Sequence, residues 1–185
     1  MYLIAEGVVR ITRCHEANHR QLLALRVPGD LCGIPHEGSY FNSAEVVSPA
    51  RIYRLEWGKI QDVLRTETLL EKILSNYRRA QTRIFILGQQ DACQRLASCI
   101  LELITIPEFF QEERSCLMLP VNRFDLADYL GIRPESIARA FIKLESLKLI
   151  RRISARRIEL LDRAGLRMVQ CPSREPLYVA SERLQ

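Results

Sequence analysis

Hydrophobic positions change period along this chain, and the changes divide it. Up to residue 55, apolar residues come in short runs punctuated by Gly, Pro, Asn and Asp, which is the pattern of β-strands. Residues 2–11 read as one strand carrying Gly7, and residues 21–27 as a second, stopped by Pro28-Gly29-Asp30. Residues 44–47 and 51–55 read as two short strands around Ser48-Pro49, with residues 37–42 as loop. Strands without intervening helices suggest a roll or barrel rather than βαβ units. A roll that opens inside a strand leaves edges unpaired. The first strands are therefore expected to be missing, or Met1 not to be the true start.

After residue 55 the period becomes helical. Residues 57–65 read as a short helix, with Ile60, Val63 and Leu64 on one side. Thr68-Leu69-Leu70-Glu71 has the capping-box spacing, so a long helix is expected from Leu69 to about Gln90. Its stripe is Leu70, Ile73 (with Leu74), Tyr77, Ala80, Ile84 and Leu87. About 20 residues make roughly 30 Å of helix, long enough to face its own domain or a second copy. Leu70, Ile73, Tyr77, Ile84 and Leu87 are the candidate dimerisation residues. Asp91 can cap a further helix to about Thr105, with Leu96, Ile100, Leu101 and Ile104 inward and Pro107 ending it. Residues 108–115, including Glu112-Glu113, read as a polar link.

Residues 119–162 carry the sharpest pattern. Asn122 with Asp125 opens a short helix bearing Phe124, Leu126, Ala127 and Leu130, and Gly131 supplies the sharp turn that ends it. Pro134 suits the first position of the next helix, whose inward stripe is Ile137, Ala140, Phe141, Leu144 and Leu147. Two helices joined this way are a helix-turn-helix. Residues 149–153 and 157–161 then read as a β-hairpin wing, and Lys148, Arg151, Arg152, Arg156 and Arg157 fall there without an intervening acid.

Charge changes the picture. The chain of 185 residues has 27 Lys+Arg against 22 Asp+Glu, a net +5. Residues 1–57 hold 6 of each sign, 58–118 hold 8 of each, and 171–185 hold 2 of each. Residues 119–170 hold 11 basic and 6 acidic side chains, so the whole excess lies beside the helix-turn-helix. A basic segment on a balanced chain points to an anionic partner, double-stranded DNA first.

A helix fits the major groove, with its first turns nearest the base edges. Glu135 and Arg139, at i and i+4, share a face. Arg can bond O6 and N7 of guanine, Glu can accept from N4 of cytosine, and Ala138 can touch a thymine methyl. Alone, the pair is an ordinary helical ion pair; its place in the motif makes it the candidate base reader. Arg123, Ser136, Lys143, Arg151, Arg152, Arg156 and Arg157 are candidates for phosphate contact.

Other chemistry is not indicated. The six cysteines stand at 14, 32, 93, 99, 116 and 171 with no C-x-x-C, so they read as small buried hydrophobes rather than metal ligands. His15, His19 and His36 read as surface loop residues. No Ser/His/Asp set or phosphate loop appears, so neither an enzyme nor a cofactor is expected. No apolar run reaches the roughly 18 residues of a membrane span, and the start is unlike a signal peptide. A cytoplasmic protein is expected.

The segment FDLADYLGIRPESIARAF resembles the helix-turn-helix of the CRP/FNR family of bacterial transcription regulators, and VPGDLCG resembles the turn of that family's sensor β-roll. The resemblance implies an α+β protein with a partial cyclic-nucleotide-binding-like β-roll, a long dimerisation helix and a C-terminal winged helix-turn-helix. It implies a homodimer on a palindromic operator, controlling RNA polymerase. The corresponding division is 1–65 roll, 66–90 dimerisation helix, 91–170 DNA-binding domain and 171–185 tail. Cyclic-nucleotide members use an Arg-Ser pair and a Glu where this chain has Asn42-Ser43 and Ile34, so that ligand is not carried over. Cluster-binding members use cysteines mostly near the N-terminus, and Tyr53 stands near the internal cysteine position. The reading helix resembles the FNR/FixK type, E-x-x-S-R, with Ala138 for the Ser, so TG/CA-containing half-sites are expected. A module signalling by protein contacts alone is the alternative.

Overall fold

The computed structural model describes residues 1–16, 19–35, 37–56 and 67–171. Among the described residues ten strands and five α-helices follow one another: β1 Tyr2–Glu6, β2 Val9–Glu16, β3 His19–Arg26, β4 Leu31–Cys32, β5 Ser43–Val46, β6 Arg51–Arg54, α1 Glu67–Gln89, α2 Ala92–Leu103, β7 Phe110–Gln111, β8 Cys116–Met118, α3 Arg123–Leu130, α4 Pro134–Ser146, β9 Ile150–Arg152, β10 Arg157–Leu160 and α5 Arg163–Gln170.

Strands β1 to β6 form a roll of two three-stranded sheets, β4-β1-β6 and β3-β2-β5. Residues 2–11 are not one strand. The chain breaks at Gly7, where φ is +81° and a Cβ would lie 2.3 Å from the Pro49 carbonyl oxygen. Only glycine fits that turn without strain, and it sends β1 and β2 into different sheets. The hydrophobic run continues through the break because both strands bury residues, Ile4 in β1 and Val9 and Ile11 in β2. His15 and His19 fall in β2 and β3 rather than in loops.

Helix α1 begins at Glu67, so Thr68 stands within the helix and not ahead of it as its cap. The helix expected over residues 57–65, His36 and the tail from residue 172 lie outside the described residues. Asp91 caps α2 as the sequence suggested, accepting from the backbone N–H groups of Cys93 and Gln94, while the Gln94 side chain accepts from the Asp91 N–H. Helices α2 to α5 and the sheet β7-β8-β10-β9 enclose one core, in which Leu96, Ile100, Leu117, Leu126, Ile137, Phe141, Leu144, Ile150, Ile158 and Leu166 are fully buried.

The supposed polar link over residues 108–115 is part of that domain. Phe109 and Phe110 are buried, β7 pairs with β8, and Glu112–Arg114 form a 3-10 turn. The wing is thus the far edge of a four-stranded sheet. β7 and β8, of two and three residues, are too short to show a period, whereas β9 and β10 were legible because they lie in longer strand-like runs on either side of a tight turn. Cys32, Cys93 and Cys99 are buried as expected, whereas Cys14 is exposed. Cys93 and Cys99 lie on different faces of α2, and both are covered because that helix is enclosed on most sides. No described helix is long and apolar enough to cross a membrane.

Candidate nucleic-acid interface

Helix α3 starts where its sequence dictates. The Asn122 side chain accepts from the Asp125 N–H at 2.9 Å, and Gly131 ends the helix at φ +61°. A Cβ on Gly131 would meet Leu87 Cδ2 at 3.2 Å, so the turn also needs a small residue against α1. Pro134 is the first residue of α4, which buries Ile137, Ala140, Phe141 and Leu144 and turns the rest outward. Leu147, predicted inward, is exposed just past the helix end.

The outward face holds the predicted base readers. Glu135 and Arg139 are exposed and Ala138 is half-buried between them. The guanidinium of Arg139 donates to Ser136 Oγ at 3.4 Å, and among the described residues Glu135 forms no ion pair. Both remain available to base edges. Lys143, one turn on, is exposed, and with Ser136, Arg139 and the start of α2 it lines a shallow cleft of about 240 Å³. No local pattern announces the start of α2 beside α4, because the contact is tertiary and made through the shared core.

The phosphate candidates divide by their internal partners. Arg156 and Arg157 are exposed at the tip of the β9–β10 hairpin, where Ser154 Oγ accepts from both backbone N–H groups. Arg151 is exposed and pairs with Glu159 across the wing. Arg152 is committed elsewhere: its Nε donates to Glu145 Oε2 at 2.7 Å and its backbone N–H to Oε1 at 2.9 Å. Those bonds from Arg152 hold the Glu145 carboxyl below the ordinary glutamate range. Arg152 and Arg123 each lie over the Phe141 ring at 5.8 Å, and that ring is 1 % exposed. Arg152 therefore ties the wing to α4, while Arg123 is exposed at the start of α3.

The predicted dimerisation residues fall on two faces of α1. Leu70, Tyr77 and Ile84 are 52 %, 59 % and 72 % exposed. Ile73 packs on Met1 and Leu31 of its own roll, and Leu87 sits against the Gly131 turn. The exposed face carries Leu74 as well, so its apolar members are Leu70, Leu74, Tyr77 and Ile84, with Gln81 and Gly88 completing alternate steps of four and three. That is heptad spacing. The predicted stripe shares Leu70, Tyr77 and Ile84 with this face but takes Ile73 and Leu87, one residue before Leu74 and Gly88, and those two turn inward.

A family model described as the Crp-like helix-turn-helix domain matches residues 94–169. The nitrogen fixation regulation protein FixK of Rhizobium meliloti is 30 % identical over 166 residues, covering 90 % of this chain and 76 % of that protein. FixK of Azorhizobium caulinodans is 31 % identical over 173 residues, covering 90 % and 70 %. Among solved structures, FixK2 of Bradyrhizobium japonicum superposes with a TM-score of 0.80 at 24 % identity, over 94 % of this chain and 88 % of that one. A CRP/FNR-family transcriptional regulator of Thermus thermophilus gives 0.76 at 27 % identity, over the same shares.

Proposed function

This chain belongs to the CRP/FNR family of transcription regulators, a DNA-binding family, and from that premise we propose that it acts as a homodimer on a palindromic operator with TG/CA-containing half-sites. In this reading residues 1–65 are the roll, 66–90 the dimerisation helix and 91–170 the DNA-binding domain. The observation that carries it is the exposed Glu135–Arg139 face on the second helix of the motif, beside an exposed arginine tip. Arg139 reads guanine, Glu135 the cytosine of the same or the neighbouring pair, and Ala138 a thymine methyl. Arg123, Ser136, Lys143, Arg151, Arg156 and Arg157 hold phosphates, and Arg152 supports them by fixing the wing. The seam on α1 joins two copies, which sets two reading helices about one helical turn apart. Contact between the DNA-bound dimer and RNA polymerase, as the family resemblance implies, turns binding into regulation.

The test is selection of bound duplexes from a random pool by the whole chain. The expected product is an inverted repeat with TG and CA steps about one turn apart, bound with a steep salt dependence. A pool without a shared motif, or binding indifferent to salt, would favour signalling through protein contacts instead.

A further inference from the structure

The reading head meets the roll through apolar packing, with Val8 and Val27 of the roll in the same buried cluster as the head's core, and through an ionic contact at the edge of the roll. In the sheet β3-β2-β5, β3 is an edge strand, and the open edge of such a strand needs a cover. Helix α3 provides it. The Leu22 N–H donates to Asp128 Oδ2 at 2.7 Å, and the Leu22 carbonyl accepts from Arg83 Nη2 at 2.9 Å. The same nitrogen of Arg83 reaches the Tyr129 carbonyl, and its guanidinium lies 3.9 Å from the Tyr129 ring centre. One residue of the edge strand is thereby bonded both to the helix-turn-helix and to the dimerisation helix.

Beside it four charges close a ring. Asp125 of α3 accepts from Arg10 at 2.9 Å and from Arg20 at 3.1 Å, and both arginines also hold Glu45 of β5, at 2.7 and 3.0 Å. Asp125 and Arg10 are only 12 % and 22 % exposed on their side chains, so solvent screens this cluster less than an open surface pair. Burial pushes the Glu45 carboxyl up, but the bonds and charges of Arg10 and Arg20 outweigh it and hold it below the ordinary range. Asp125 and Asp128 leave the reading face clear: Glu135 and Arg139 stay exposed while α3 is docked.

We propose that Asp125 and Asp128 are positioning residues for operator recognition, clasping α3 to the edge of the roll and so fixing the orientation of α4 relative to the dimer seam. They touch no base. Helices α3 and α4 share one core through Leu126, Ala127, Leu130, Ile137 and Phe141, so whatever holds α3 aims α4. The clasp matters where two heads must engage one duplex at once, and the proposal rests on the dimeric reading above.

The whole chain is titrated with the selected two-half-site duplex and with the same duplex after one half-site is scrambled. Asp125→Asn separates orientation from charge. Removing an acid from a DNA-binding protein should by charge alone tighten both complexes. Loss of the clasp should weaken the two-half-site complex by roughly tenfold and leave the single-half-site complex little changed. Equal or tighter binding to the two-half-site duplex overturns the proposal. Amide exchange at Leu22 in the free protein gives a reading without DNA. It should quicken in Asp125→Asn, in Asp128→Asn, and in the roll-side double variant Arg10→Gln/Arg20→Gln, while α4 stays protected; unchanged exchange in all three also overturns it. If Asp125→Asn does not fold, the roll-side variant, which leaves the reading head intact, supplies both measurements. Wild-type protein that binds the two duplexes equally refutes the dimeric reading, and the exchange result then decides the clasp alone.

Discussion

Arg139 and Arg152 are both arginines of the basic stretch, yet their surroundings assign them different work. Arg139 is exposed with a single long bond to Ser136, whereas Arg152 spends its guanidinium on Glu145. Arg139→Ala is therefore expected to remove discrimination at one G·C pair by about 1–3 kcal/mol, measured as the ratio of affinities for the operator and for the operator substituted at that pair. Equal loss on every sequence would move Arg139 to a phosphate-holding role. The pairing of Glu135 with Arg139 on one face was legible in the sequence because a helix places i and i+4 together whatever the tertiary fold. The Arg152–Glu145 tie was not, since it forms only when the chain turns out of α4 through Lys148, at φ +54°, and brings β9 back alongside. Asp125 was read correctly as a first-turn residue of α3, but its partners Arg10 and Arg20 are more than a hundred residues away, and no local pattern announces them.

At the scale of elements, those with several turns or a strong stop signal were legible. The Asn122, Gly131 and Pro134 signals bound α3 and α4 where the structure has them. The roll strand stopped by Pro28-Gly29-Asp30 was also found, whereas β4, of two residues, was missed, and so were β7, β8 and α5, each of which is short and buries a single residue. The wing is the element with the most local charge, and its tip holds Arg156 and Arg157 clear of the domain. Arg156→Ala is expected to weaken binding to all duplexes alike and to lower the slope of log affinity against log salt by about one. A sequence-dependent loss would mean that the tip reaches a base edge.

At the scale of the molecule, in the proposed dimer the seam on α1 decides whether the reading heads work singly or together. A row of Leu70, Leu74, Tyr77 and Ile84 exposed along one side of a 23-residue helix is costly in water and is relieved when a second copy covers it. A two-fold seam meets itself, so each substitution counts twice. Ile84 is the most exposed of the four, and covering such a side chain stabilises by about 1.5–3 kcal/mol per copy. Ile84→Asp is thus expected to raise the dimer dissociation constant by roughly a hundredfold or more, read by sedimentation over a concentration series. Ile73→Ala, on the face packed against the roll, should instead lower thermal stability with less effect on association. The DNA result follows from linkage: once the copies part, each head binds as an independent module and the advantage of a tethered second half-site disappears. Ile84→Asp should then bind two-half-site and one-half-site duplexes with nearly the same affinity while Arg139 still selects its base pair. A variant that stays dimeric at every concentration would place the interface on some other surface.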